Sequence, residues 1–286
     1  MLYRKGITVI IPTYNRRDLL NKTLLSLCFQ SFNLYDYEVI VVDDGSSDDT
    51  KDIVLSFKDR IFISYFHQED KGFRVAKARN LGIVNAHFNV CLFLDSGVIA
   101  HPDLLKNHWA MHKGKSELAA VGFAYGYCDY ENLSASLLKE FANKTDVENT
   151  FEMFRAYKNL RDRRAIVLEE NSITVEDISI PWIIFWTCHV SCSTKSLMRV
   201  AGFDEAFQSW GGEDIELGFR LHAAGVPFAF AYDCEAIHCP HKRSIISLET
   251  SDHYSRYLYE KHPSKATLLL TQMDIPWVEI VKAMEE

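Results

Sequence analysis

Acids at the ends of apolar runs are the first chemistry this sequence offers. VIVVDDGS closes one such run with Asp43 and Asp44, VCLFLDSG closes another with Asp95, and WGGEDIELGF sets Glu213 beside Asp214 at the head of a helical pattern. An ionised carboxylate only accepts hydrogen bonds, so an acid at a strand end suits the N–H of a uracil or the hydroxyls of a ribose. Pleating points neighbouring side chains to opposite sides, so one of Asp43 and Asp44 can reach a ligand while the other caps the turn. Capping by both is the competing reading. Glu213 and Asp214 are open to two readings as well. The helix dipole favours acids in a first turn, and a carboxylate there could also take the proton of an attacking hydroxyl.

The elements that must hold these residues follow from apolar spacing. ITVIIP, YEVIVVDDGS, IFISYFHQ and VCLFLD read as strands, while RRDLLNKTLLSLCFQS, SDDTKDIVLSFK and VAKARNLGIVNA read as helices, the second capped by Ser47 or Asp48. That alternation predicts an α/β fold with a mostly parallel sheet and crossover helices. In such sheets ligands bind beyond the carboxyl ends of the strands. Thr13, Tyr14 and Asn15, then Asp43 and Asp44, then Asp95 should therefore face one crevice, with Arg79 entering at the start of a helix. Between about Asp129 and Asp177, ENLSASLLKEFANK and ENTFEMFRAYKNLRDRRA predict a charged helical insertion, either solvated or closing over the crevice. PWIIFWTCHVSCS returns to the core, and its His189 reads as a buried, hydrogen-bonded imidazole or an additional polar contact. The later helix contains the pair Glu216 and Arg220 and ends at Gly225, ahead of Pro227. Beyond Ser244 a helical tail with Tyr254, Tyr257 and Tyr259 predicts packing or a homodimer contact.

Composition narrows the classes. The chain has 286 residues, a formal net charge of −8 and seven cysteines with no CxxC pair. This argues against a nucleic-acid partner, a zinc knuckle and a disulfide framework. No apolar run reaches membrane-spanning length and a strand starts within a few residues, so the expectation is a cytoplasmic protein without a signal peptide or transmembrane segment.

PTYNR, VDDGSSDDT, GFRVAKARNLGI, FLDSG and WGGEDIELGFRL, in that order over roughly residues 6–243, resemble a family 2 glycosyltransferase with the GT-A, Rossmann-like nucleotide-sugar fold. The nearest branch is that of chondroitin-type polymerases and β-1,4-galactosyltransferases. The resemblance implies three divisions: a nucleotide-sugar-binding half at 1–120, an acceptor-binding and catalytic half at 121–244, and a C-terminal helical extension at 245–286. It implies that Pro12, Thr13, Tyr14, Asp44 and Arg79 bind the nucleoside, and that Asp95 meets the ribose and diphosphate. Asp214 would be the base of an inverting transfer of a hexose-type sugar, most simply from a UDP donor to a hydroxyl-bearing acceptor. Glu213 would hold that acceptor, with Trp210, Gly211 and Gly212 beside it. The alternative is a nucleotide-sugar-binding or partner-binding protein without catalysis.

One departure concerns the metal. The family pattern places a second acid at the position of Gly97 to bind Mn²⁺ or Mg²⁺. His238, in EAIHCPHKR, reads alone as a structural histidine, and the resemblance makes it a ligand beside Asp95. The metal-free alternative uses Lys242 and Arg243 as fixed charges on the diphosphate.

Overall fold

The computed structural model describes residues 3–126, 147–239, 248–272 and 275–286. Eight strands form one sheet: β1 (Arg4–Thr13), β2 (Tyr37–Asp43), β3 (Ile63–His67), β4 (Phe88–Leu94), β5 (Val98–Ala100), β6 (Ala119–Tyr125), β7 (His189–Ser193) and β8 (Phe228–His238). Their order is β3-β2-β1-β4-β7-β6-β8-β5. The first four are parallel neighbours, as the strand–helix rhythm predicts. The second half is mixed. β7 runs antiparallel to β4 and β6, β6 pairs parallel with β8, and β5 returns antiparallel on β8.

The first-half helices are α1 (Arg17–Leu27), α2 (Thr50–Leu55), α3 (Val75–Val84) and α4 (Leu104–His112). They are followed by α5 (Val147–Arg155), α6 (Arg163–Glu170), α7 (Thr194–Arg199) and α8 (Glu213–Ala223), and then by α9 (Leu248–Lys261), α10 (Lys265–Leu270) and α11 (Trp277–Glu285). β1 shows why the sheet needs cover on both faces. Ile7, Val9 and Ile11 pack with Leu20, Leu24 and Leu27 of α1, while Ile10 joins the opposite cluster with Phe93, Val190 and Leu217. Each such burial is worth about 1.5–3 kcal/mol relative to exposure.

Three sequence expectations change. Asp49 occupies the N-cap position of α2, and Asp48 caps from one residue further back, accepting the backbone N–H of Thr50 at 3.1 Å. The segment from 147 onwards is no solvated insertion: Val147, Phe151, Phe154, Leu160, Ala165 and Leu168 are all part of the main core. Its charges serve the same end. Asp162 and Arg164 pair at 2.8 Å with both side chains fully buried, and Arg155 reaches Glu235 on β8. The first predicted helix of that insertion, residues 131–144, lies outside the described residues, as do Lys242 and Arg243. Arg79, finally, lies in the middle of α3 rather than at its start. The end of α8 behaves as expected: Gly225, at φ +79°, follows the last turn and its N–H donates to His222 O at 2.9 Å.

The C-terminal helices pack on the body of the fold. The Phe207 and Tyr254 ring centroids lie 4.8 Å apart, and Ile280 and Val281 are core residues.

Candidate active site

The strand-end residues do meet at one edge of the sheet. Thr13 pairs with Asp43, which pairs in turn with His67, and Ser96 Oγ donates to Pro12 O at 3.0 Å. The two adjacent acids divide their work as pleating requires. Asp43 Oδ1 accepts the N–H of Gly45 (3.1 Å) and Ser46 (2.7 Å), and Oδ2 accepts the Tyr65 hydroxyl (2.7 Å). Asp44 turns the other way. Its carboxylate takes Gln68 Nε2 at 2.5 Å and the Arg74 backbone N–H at 2.7 Å, with the Arg74 guanidinium at 3.4 Å. Tyr14 is 46% exposed at the rim, and its hydroxyl donates to Asp70 at 3.0 Å.

Arg79 joins this end of the crevice to the other. Its Nη2 donates to Asp95 at 3.0 Å and its Nη1 to Glu213 at 2.8 Å, while the guanidinium lies 5.3 Å from the centre of the Phe203 ring. Burial alone would lower the Arg79 pKa, and Asp95 and Glu213 more than reverse that effect. The residue that the sequence suggests for the nucleoside thus spans the acid of FLDSG and the first acid of WGGED. Arg16, from PTYNR, also feels the Asp95 charge.

Glu213 and Asp214 begin α8 as expected, after Gly212 at φ +91°. Asp214 Oδ2 accepts the Thr187 N–H at 3.2 Å and Oδ1 accepts the Ile215 N–H at 2.8 Å. Burial, and then the Glu213 charge, push the Asp214 carboxyl up to about 7, against the pull of Arg79 and the two N–H donors. A carboxyl tuned so near neutrality can take a proton and release it at working pH. Trp210 is 48% exposed, and there is open space where a side chain at Gly211 would stand.

Unpaired buried polar atoms mark which side of these groups faces a ligand. Seven such side-chain atoms occur among the described residues, and five belong to Thr13, Gln68, Arg74, Arg79 and Glu213. Leaving a buried polar atom without a partner costs about 1–3 kcal/mol, so their concentration here points to groups that a bound molecule would satisfy. Sequence reasoning missed Gln68 and Arg74. The available signal was position: Gln68 follows the last residue of β3 and Arg74 precedes the first of α3. It also missed Thr187, which acts through its backbone.

Gly97 is held by more than its small size. Its φ is +103°, its N–H donates to Thr23 Oγ1 at 2.9 Å, and an added Cβ would meet Leu19 of α1 at 3.4 Å. A side chain here would leave the backbone towards an apolar helix face. The two nominated metal ligands lie on adjoining chain. Val98 pairs with His238, and the Cys239 N–H donates to Gly97 O at 2.8 Å. No group of three His, Cys, Asp or Glu side chains able to hold an ion occurs among the described residues. His189 proves to be a buried imidazole, its Nε2 2.8 Å from His108 Nε2.

Comparison with known proteins defines the class. The pattern of glycosyl transferase family 2 matches residues 8–169, and that of the N-terminal domain of galactosyltransferase matches residues 171–242. The chain belongs to glycosyl transferase family 2. It is 41% identical over 242 residues to the validoxylamine A glucosyltransferase of Streptomyces hygroscopicus subsp. jinggangensis, covering 83% of this chain and 56% of that one. It is 31% identical over 240 residues to the chondroitin synthase of Escherichia coli, covering 82% and 34% respectively. The chain thus spans about half or less of these two curated relatives. Staphylococcus aureus TarS 1–349 in complex with UDP-GlcNAc shares the fold, with a TM-score of 0.65 and 19% identity over 96% of this chain and 69% of that one. No described helix is long and apolar enough to cross a membrane.

Proposed function

We propose that this protein transfers a hexose from a UDP donor to a hydroxyl of a polyhydroxylated acceptor, with inversion at the anomeric carbon. The observation that carries the reading is the Asp95–Arg79–Glu213 bridge, with Asp214 raised towards neutrality beside it. What supports the reading is that one buried guanidinium pairs with both the acid of FLDSG and the first acid of WGGED.

In this reading Thr13, Tyr14 and Asp44, supported by Gln68 and Arg74, hold the nucleoside, and Asp95 lies at the ribose and diphosphate. The acceptor packs against Trp210, beside Gly211 and Gly212, and gives a hydrogen bond to the unpaired Glu213 oxygen. Its hydroxyl oxygen attacks the anomeric carbon from the face opposite the nucleotide. The new C–O bond forms as the bond to the β-phosphate oxygen breaks, the hydroxyl proton passes to Asp214, and UDP leaves with the bonding pair. A Mn²⁺ or Mg²⁺ ion held by Asp95 and His238 would neutralise charge on the departing diphosphate. Arg79 keeps its two carboxylates in place throughout, so the electrostatics need little rearrangement during reaction.

UDP-glucose with validoxylamine A is the first pair to assay, with UDP-GlcNAc as a second donor. Asp214→Asn keeps the side-chain volume and removes the base. The expected result is transfer lowered at least about a thousandfold, of the order of a general base's contribution, with UDP affinity by calorimetry close to wild type. Full activity in Asp214→Asn, or no product from either donor with the wild-type protein, would overturn the proposal.

A further inference from the structure

Both matched family patterns end by residue 242, yet the acceptor turn of this chain rests on residues that come later. Gly211 and Gly212 sit at φ +105° and +91°, so the turn before α8 follows two residues with the widest backbone freedom and no side chain to brace them. A turn of that composition takes its shape from what lies beneath it.

What lies beneath is α9. The Tyr254 hydroxyl accepts the Gln208 backbone N–H at 2.9 Å, two residues before Trp210, and its ring packs on Phe207. A Cβ at Gly212 would meet the Phe207 ring at 2.9 Å and Tyr254 Cβ at 3.4 Å, so the two rings form a close floor under the turn. Along the same helix, the Tyr257 hydroxyl donates to Asp204 at 2.8 Å. Lys261 Nζ reaches both Asp204 and Glu216 at 2.7 Å. His262 adds a contact of 2.9 Å to Glu216 and stacks on Phe219. These contacts fix the chain on both sides of the turn: Asp204, Phe207 and Gln208 before it, Glu216 and Phe219 after it.

We propose that α9 is the positioning element of the acceptor turn and that Tyr254 is its principal positioning residue. It sets where Trp210 and the two glycines after it stand relative to an incoming polyhydroxylated ring. Acceptor affinity is thereby governed by a segment outside the family pattern, while the nucleoside-facing residues stand on β1 to β4 and the turns that follow them. The inference rests on the acceptor role given to this turn above.

Tyr254→Phe tests it, because the ring and its packing stay and only the hydroxyl acceptor for Gln208 is lost. Hydrogen exchange on the full chain should show about tenfold less protection at the Gln208 amide, roughly the factor carried by one neutral hydrogen bond. Amides of 43–46 and 68–74, and the affinity for UDP, should stay at wild-type values. With UDP-glucose and validoxylamine A, the acceptor KM should rise about tenfold while kcat and the donor KM hold. Unchanged protection at 208–212, a loss shared with 43–46, or donor and acceptor KM rising together would overturn the inference. If wild type makes no product from either donor, the proposed function falls on that result, and hydrogen exchange still decides the role of Tyr254.

Discussion

Asp214 links two measurements that are usually treated apart. Its carboxyl is raised from an ordinary value of 3.8 to about 7 by burial and by Glu213. The base proposed above works only when ionised, so kcat/KM should climb with pH through about 7 and level off above it. A rising limb centred below pH 5 would contradict the assignment. The same shift acts on stability with the opposite sense. Between 3.8 and about 7 the folded chain binds the proton that the unfolded chain has released, so this group's contribution falls as pH rises through that window. Asp214→Asn should therefore melt higher than wild type at pH 8 and nearly level with it at pH 4. Gly97 belongs to this scale too. Its φ of +103° and its neighbour Leu19 mean that a carboxylate restored there would begin from a strained backbone and face a leucine, at a cost of about 1–3 kcal/mol.

Among the elements, α4 and β7 share a buried polar seam. His108 bonds to His189 Nε2 and to Ser191 Oγ at 2.8 and 2.9 Å, and His112 bonds to the same hydroxyl at 2.8 Å. Burial depresses all three imidazoles: His108 well below its ordinary value, His112 to about 4 and His189 to about 3. Nearby like charge deepens the effect, from His189 and His112 at His108, from Lys115 at His112 and from Arg164 at His189, where Asp162 partly offsets it. The seam holds neutral histidines in the fold, so its stability is complete above the unfolded value of 6.5 and drains away as pH falls towards 4 and 3. His112→Gln should flatten the loss of Tm between pH 6.5 and 4.5, as followed by circular dichroism. An equal loss in variant and wild type would show that the acid sensitivity lies elsewhere.

This seam also shows what could be read in the sequence and what could not. β1 to β4 and their helices were legible because each follows a local rule of apolar spacing, and the acids at their ends followed from position. That Asp43 and Asp44 turn to different partners was legible for the same reason, since a strand alternates by construction. α5 and α6 were not. Their charges suggest solvent, and only the tertiary partners of Asp162 and Arg164 show that this pair faces inward. β5, at three residues, is too short to carry a period. Within the site, the acids were legible from their motifs, whereas the bridge made by Arg79 joins residues 16 and 134 positions away and has no local signature.

At the scale of the whole molecule, Glu216 joins the sheet domain to the C-terminal helices. Its carboxylate is fully buried and receives Arg220, Lys261 and His262. Removing one charge from such a cluster leaves the others uncompensated. Glu216→Gln should cost about 3 kcal/mol, towards the lower end for a broken buried pair because Lys261 and Arg220 keep some solvent. Urea unfolding would measure it, and a change under 1 kcal/mol would show that the C-terminal helices are held by their apolar contacts alone.

The clamp also orders events in time. When a ribosome has just released α8, Glu216 has only Arg220 for company, because Lys261 and His262 are 45 and 46 residues further along. At roughly 5–20 residues per second they follow some seconds later. A nascent chain thus completes β1 to β4 well before the turn at Gly211 and Gly212 has a floor.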